Sequence, residues 1–395
     1  MKSSTVKLLV PIVAVTIQSN SASTLIPLYL DHLHFPVAAI GTLISLGPVL
    51  ALLSRLPSGM AYNQSRARML ASLAMLAMGI TNFLYSLAVD SLTFAVVHAL
   101  NGFAYGAVTT IYMAFYVDSL QPEENRNHAM GYYVGSLAVG YSTGNFFGGV
   151  IADHWGFAAT FQLGALLSLV SVGLLWFLHG AGETVDGKSR EKAKLTSKGS
   201  LKALLQPELC TVVIVALFLN LLHQMGGVFI SLYGLTVGMS LTQIGVLRAA
   251  YAGCNAVTRP ISGHVVNKVG HRGLSYFGLP LQSLILMLVP LFTGFGTILL
   301  VYVASGLLRA IVLVANAVGL VQDVPESRVR RGLASGIYNA AGDVGNILGP
   351  AVGGFIAHAA GIAGVFVIGS LGSTALFLSG VLLVGRLRQP RTSGV

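Results

Sequence analysis

Ser54-Arg55-Leu56-Pro57-Ser58-Gly59-Met60-Ala61-Tyr62-Asn63 returns 204 positions later as Thr258-Arg259-Pro260-Ile261-Ser262-Gly263-His264-Val265-Val266-Asn267. Arg, Ser, Gly and Asn hold the same places in both copies. The offset persists outward from this stretch. Ile26, Leu28 and Tyr29 pair with Ile230, Leu232 and Tyr233, and Gly41 and Gly102 pair with Gly245 and Gly306. Later in each copy, Gly148-Gly149-Val150-Ile151-Ala152 matches Gly353-Gly354-Phe355-Ile356-Ala357, now 205 apart. The chain is therefore read as two copies of one half.

The solvent of those halves follows from composition. Of 395 residues, 54% are hydrophobic and 9% charged, and the mean hydropathy is +0.76. A soluble domain carries about 25% charged residues, so water is excluded as the main environment. Fibrous, disulfide-rich and disordered classes need other excesses. The net charge of +10 does not point to nucleic acid, because the cations sit in short gaps between apolar runs rather than on a wetted face. Cys210 and Cys254 fall in or beside apolar segments without CxxC spacing, so neither a disulfide framework nor a metal site is expected. There is no GxxxxGK[ST] motif and no catalytic cluster on a loop. An enzyme, a cofactor and ATP-driven pumping are not expected.

About 20 apolar residues cross a bilayer as a helix. By that rule spans are expected near 8–30, 37–59, 69–88, 92–116, 129–151 and 158–178, and again near 209–233, 242–264, 274–294, 298–320, 333–357 and 362–384. The expectation is an all-α membrane protein with twelve helices in two pseudo-symmetric bundles. Strands are disfavoured because the runs are long and do not alternate. The first run follows Lys2 and Lys7 like a signal peptide, but its length and the eleven spans behind it favour a retained helix. Even-numbered gaps hold Arg66, Arg68, Arg126, Lys188, Lys268, Arg272, Arg328 and Arg330, whereas the odd ones hold Asp31, His34, Asp90, Asp153 and no Lys or Arg. That asymmetry puts both termini in the cytoplasm of a multi-pass protein of the cell membrane. The polar stretch 182–204 is expected to be a cytoplasmic linker between an N-terminal bundle, 1–181, and a C-terminal bundle, 205–395.

At these residues the chain resembles the major facilitator superfamily over essentially its whole length. Gly59-x3-Asn63-Gln64-x-Arg66 and Gly263-x3-Asn267-Lys268-x-Gly270-x-Arg272 resemble the family's gate motif G-x3-D-R-x-G-R-R, with Asn in place of Asp. The resemblance implies gating roles for Arg55, Gly59, Asn63, Arg259, Gly263, Asn267 and Arg272, through a hydrogen-bonded lock rather than a charged one. Asp118, Pro122, Glu123 and Arg126 look like the family's D-x3-P-E-x2-R helix end and join the gating set. Asp323, Pro325, Glu326 and Arg330 form a looser copy. Gly336-x8-Gly345-x3-Gly349-Pro350-x2-Gly353-Gly354 is similar to the glycine-rich motif of drug:proton antiporters. Gly131-x8-Gly140-x3-Gly144-Asn145-x2-Gly148-Gly149 repeats it with Asn for Pro. Glycines at four-residue spacing admit a neighbouring backbone, so Gly140, Gly144, Gly148, Gly345, Gly349, Pro350 and Gly353 are expected to pack the bundles against each other.

Charged groups inside a membrane call for a partner or a task. Of the 13 acids only Asp343 lies well inside an expected span, with Arg309 on the preceding helix, and this pair is the proton-coupling candidate. Asn20, His98, Asn101, His223, Gln224, Arg248, Asn316, Tyr338 and Asn339 are the candidate substrate contacts. The expected function is proton-coupled efflux of small organic molecules or drugs by alternating access, with protons and lipid as partners and a monomer as the working unit. The other reading, favoured by Arg248 and Arg309 against one acid, is an exporter or importer of an anionic or zwitterionic metabolite such as an organic acid, a sugar derivative or a metallophore.

Overall fold

The computed structural model describes residues 7–120, 125–178, 206–324 and 331–388, and no strand occurs among them. The helices are α1 (Leu9–His32), α2 (Val37–Ala61), α3 (Ala67–Tyr85), α4 (Ser91–Asp118), α5 (Arg126–Leu178) and α6 (Pro207–Thr236). They continue with α7 (Leu241–Val269), α8 (His271–Met287), α9 (Phe295–Gln322), α10 (Arg331–Gly364) and α11 (Ser370–Arg388). Among the described residues, nine segments are long and apolar enough to cross a membrane. Their ends fall within a few residues of the expected spans. The linker expected at 182–204 lies outside the described residues.

Two of those nine segments, His128–Leu178 and the run Leu333–Gly385 through α10 and α11, contain 51 and 53 residues. At 1.5 Å per residue each would be roughly 80 Å long if straight, against a bilayer core of about 30 Å. Neither is straight. Gly156 breaks α5 with φ 82° and ψ 171°, and Gly361 breaks α10 with φ 75° and ψ 168°. A side chain at that φ would clash, so glycine marks the bend. The two glycines are 205 apart, and the other left-handed pair, His34 (φ 61°) and Gly238 (φ 79°), is 204 apart. The duplication thus extends to backbone conformation.

One helix departs from the pattern. α7 falls outside the nine because Arg248, Asn255, Arg259, His264 and Lys268 dilute its apolar content. Its regularity is nonetheless complete, with Pro260 accommodated inside the helix.

Packing groups the described chain into two compact units, residues 7–178 with 230–256, and residues 206–229 with 257–388. In the first unit Leu8, Ile12 and Val15 of α1 and its lead-in close on Met75 and Met78 of α3 and on Val108, Tyr112 and Tyr116 of α4. Asp90 starts α4 by accepting the Leu92 and Thr93 amides at 3.1 and 2.9 Å, which satisfies two of the donors that a helix start leaves open. Large apolar side chains stand exposed on α3 (Leu73, Ile80, Phe83), after the bend in α5 (Leu166, Leu169, Phe177), on α8 (Phe277, Leu281) and on α11 (Leu376, Leu382). Such faces belong against lipid.

Candidate functional site

The glycine motifs set the helix spacing around the site. In the first unit Gly140, Gly144 and Gly148 press on α1 at Thr16, Ile17 and Ser21. In the second unit Gly345, Gly349 and Gly353 press on α6 at Leu217 and Asn220, at Leu221 and Met225, and at Phe229. Thr16, Ile17 and Ser21 are the repeat counterparts of Asn220, Leu221 and Met225, so the duplication recurs as duplicated contacts. This corrects the expectation that these glycines pack the bundles against each other. Each set seats the fifth helix of a half on the first helix of the same half, because a glycine groove accepts backbone and these helices supply it.

Pro350 follows Gly349 inside α10. Its counterpart Asn145 does different work. Buried in α5, Asn145 accepts the Thr24 hydroxyl of α1 at 2.7 Å and donates Nδ2 to the Arg248 carbonyl of α7 at 3.3 Å. Proline has no side-chain amide with which to bridge helices, and this bond pattern accounts for the departure from the motif.

The polar centre of the second unit surrounds Arg309 on α9. Its side chain is only 6% exposed, and Nη2 donates to Asn220 Oδ1 on α6 at 3.0 Å. Asn220 in turn donates Nδ2 to the Ala216 carbonyl at 2.8 Å. Asn316, two helical turns from Arg309 on α9, is buried and donates to the Val212 carbonyl at 3.0 Å. Tyr338 of α10 lies close to Asn316 and within the fields of Arg309 and Arg259. Asp343 is half-buried on α10, next to Gly342, whose Cα faces the Asn220 amide. Holding a guanidinium at such depth costs at least ~2.5–3.5 kcal/mol; here an amide oxygen meets part of that cost.

Some candidates turn out to be scaffolding. His98 is buried in α4, with Nδ1 2.7 Å from the Tyr85 hydroxyl, Nε2 3.1 Å from the Ile44 carbonyl and its ring stacked on Phe94. Gly47 of α2 closes its remaining side. Both nitrogens are occupied by protein, which corrects its assignment as a substrate contact. Asn101 donates to the Thr81 hydroxyl of α3 at 2.7 Å. Asn20 and Asn339 each bond a carbonyl one turn back, Thr16 and Ser335. His223 and Gln224 are half-buried on α6 and Arg248 on α7. A further polar group stands in the first unit, where Tyr105 lies against Tyr141 with Arg55 and Tyr133 near it. Tyr105 is the repeat counterpart of Arg309, so the two halves hold different chemistry at one position.

The expected gating residues divide similarly. Asn63 accepts the Ser65 amide and hydroxyl and starts the turn Gln64–Arg66; it caps rather than locks. The contact between these helix ends comes from Tyr62, whose hydroxyl donates to Asp118 Oδ2 at 2.8 Å. Burial and the Asp118 carboxylate push that hydroxyl well above its ordinary pKa, so it stays a donor. Asp323, the counterpart of Asp118, is held instead by a charge: Arg272 Nη2 lies 2.7 Å from Oδ1 and Nε 3.1 Å from Oδ2, with His271 Nε2 at 2.9 Å. The contact at this helix end is therefore a hydrogen bond from a neutral donor in the first half and an ion pair in the second, and neither runs through Asn63 or Asn267. Gly59 and Asn267 are exposed, and Arg55, Arg259 and Gly263 are half-buried. Pro122, Glu123, Pro325, Glu326, Arg328, Arg330 and the side chain of Arg126 lie outside the described residues.

A pH dependence follows from Asp323. Burial raises its carboxyl, but the bonds from Arg272 and His271 outweigh that and hold it below its ordinary value. A depressed acid contributes stability above its unfolded pKa of about 3.9 and loses it as pH falls through the folded value. Thermal stability of the wild type should therefore fall further below about pH 4 than that of Asp323→Asn. Because Arg272 is exposed, the difference at neutral pH should be about 1 kcal/mol or less. Melting curves from pH 3 to 7 in detergent measure both.

Comparison with known proteins matches this architecture. The model of the Major Facilitator Superfamily matches residues 8–330 and 228–394. An uncharacterized MFS-type transporter of Methanocaldococcus jannaschii is 23% identical over 317 residues, 78% of this chain and 79% of that protein. The quinolone resistance protein NorA of Staphylococcus aureus is 29% identical over 161 residues, 40% of each chain. Among solved structures, the nucleoside transporter NupG superposes with a TM-score of 0.80 at 13% identity, covering 96% of this chain and 99% of its own. An inward-facing bacterial homolog of the human lysosomal transporter Spinster gives 0.77 at 15% identity, covering 96% and 94%. This chain belongs to the Major Facilitator Superfamily and is a multi-pass membrane transporter, not an enzyme.

Proposed function

We propose that the chain is a proton-coupled exporter of small organic molecules, working as a monomer in the cell membrane by alternating access. Counting each bent segment as two crossings and adding α7 gives twelve spans, which returns both termini to one side. The cation-rich gaps make that side the cytoplasm. The observation that supports the reading is Asp343, an acid in mid-helix on α10, next in sequence to Gly342, which packs on the Asn220 amide that bonds Arg309. An acid held between burial and nearby cations can bind and release a proton as its access alternates. The complete glycine motif on α10 and the partial likeness to NorA support efflux.

The test is the purified protein in liposomes under an imposed pH gradient, given lipophilic cations, quinolones, organic anions and amino acids in turn. Coupled efflux predicts that at least one class moves uphill and dissipates the gradient in step. Uphill movement without proton flux would remove the coupling. Conduction of ions from both sides at once would remove alternating access itself.

A further inference from the structure

We infer that Arg309 docks the carboxylate of a zwitterionic substrate whose ammonium group competes with the proton at Asp343; this rests on the proton-coupled reading above. Arg309 is buried, and its Nη2 is met by an amide oxygen, Asn220 Oδ1. Its Nε, also buried, has no hydrogen-bond partner among the described residues. The same unit shows what this edge of a guanidinium normally takes. Arg272 places both Nε and Nη2 on the Asp323 carboxylate. Arg309 has that edge only half satisfied, and a planar carboxylate is the group whose geometry completes it.

The neighbours narrow the ligand further. Arg309 and Arg259 both lie within electrostatic reach of Tyr338 on α10. Asp343 stands one residue from Gly342, which packs on the amide that holds Arg309. A purely anionic ligand would bind best with Asp343 protonated, so proton and ligand would travel together. A ligand carrying an ammonium as well would replace the proton at Asp343 while its carboxylate holds Arg309, and that exclusion is what exchange of substrate for proton requires.

Four probes on one scaffold separate the charges: 4-(aminomethyl)benzoate, its methyl ester, 4-methylbenzoate and methyl 4-methylbenzoate. Aromatic amino acids are added as further zwitterions. In wild-type proteoliposomes the zwitterions should protect Arg309 from modification by phenylglyoxal, read by mass spectrometry, and should drive counterflow; the methyl ester should do neither. Arg309→Gln should lose at least tenfold in apparent affinity for the zwitterions, and Arg309→Lys should lose less. If Arg309→Gln fails to fold, the wild-type protection experiment decides alone. Lack of protection by every zwitterion overturns the proposal, as does protection by the ester equal to that by its parent. Flux of the ester with no dependence on Arg309 would sink this inference and leave transport standing. Protection without flux of any probe would sink the transporter mechanism and leave the docking site standing.

Discussion

Asp343→Asn should abolish pH-gradient-driven flux, with a loss of more than about tenfold, while substrate exchange at equal pH continues at saturating substrate. The reasoning turns on what each assay requires of the side chain. Exchange asks only that loaded protein reorient, and Asn, the isostere of a protonated acid, keeps the hydrogen-bonding shape of that state. Gradient-driven movement asks the group to release its proton on one side, and an amide has none to release. Asp343 is suited to the task by its place on α10, half-buried and one residue from Gly342, which packs on the Asn220 amide that bonds Arg309. Asp343→Glu keeps the titrating group on a longer arm and should retain part of the coupling. Loss of exchange and coupling together would signal a folding defect. Full coupling in the Asn variant would remove Asp343 from the mechanism.

The repeat made more of this molecule legible than hydropathy did. α7 was expected at 242–264 from its apolar run although it falls short of the stricter apolar criterion, and the match of Arg259, Ser262, Gly263 and Asn267 to the end of α2 agrees with a helix there. The bends at Gly156 and Gly361 lay in gaps between expected spans, because short polar or glycine-containing gaps are visible in a sequence. Partners were a different matter. The bond from Arg309 to Asn220 joins residues 89 apart, and that from Tyr62 to Asp118 joins residues 56 apart. Nothing local in the chain encodes either. His98 shows why the candidate site was only partly readable: a lone histidine in an apolar run looks the same whether it faces a cavity or, as here, is clasped by Tyr85 and Ile44. The glycine motif was legible as close packing but not in its partner, since spacing specifies a groove and not which backbone fills it.

Gly345→Ala should destabilise the protein by about 1–3 kcal/mol or more and remove most transport, whereas Gly336→Ala, in the same motif, should do neither. A methyl group built at Gly345 would overlap the Leu217 carbonyl oxygen and lie 2.9 Å from the Leu221 nitrogen. These are backbone atoms of α6, which cannot rotate away as a side chain can, so α6 and α10 must separate. The added carbon would also sit 3.2 Å from Asn220 Cβ, shifting the residue that holds Arg309. Gly349→Ala meets the Leu221 carbonyl at 2.6 Å and should behave alike. In the first half Gly144→Ala strikes Ile17, while Gly131 has nothing within 4 Å. At Gly131 and Gly336, alanine should be neutral or add up to about 1 kcal/mol by restricting the unfolded chain. Melting temperatures and counterflow of the five variants check the ordering directly. Equal behaviour of Gly336→Ala and Gly345→Ala would mean that the motif's spacing does not act through close backbone contact, whereas a split along these contacts assigns the four-residue period to the seating of α10 on α6.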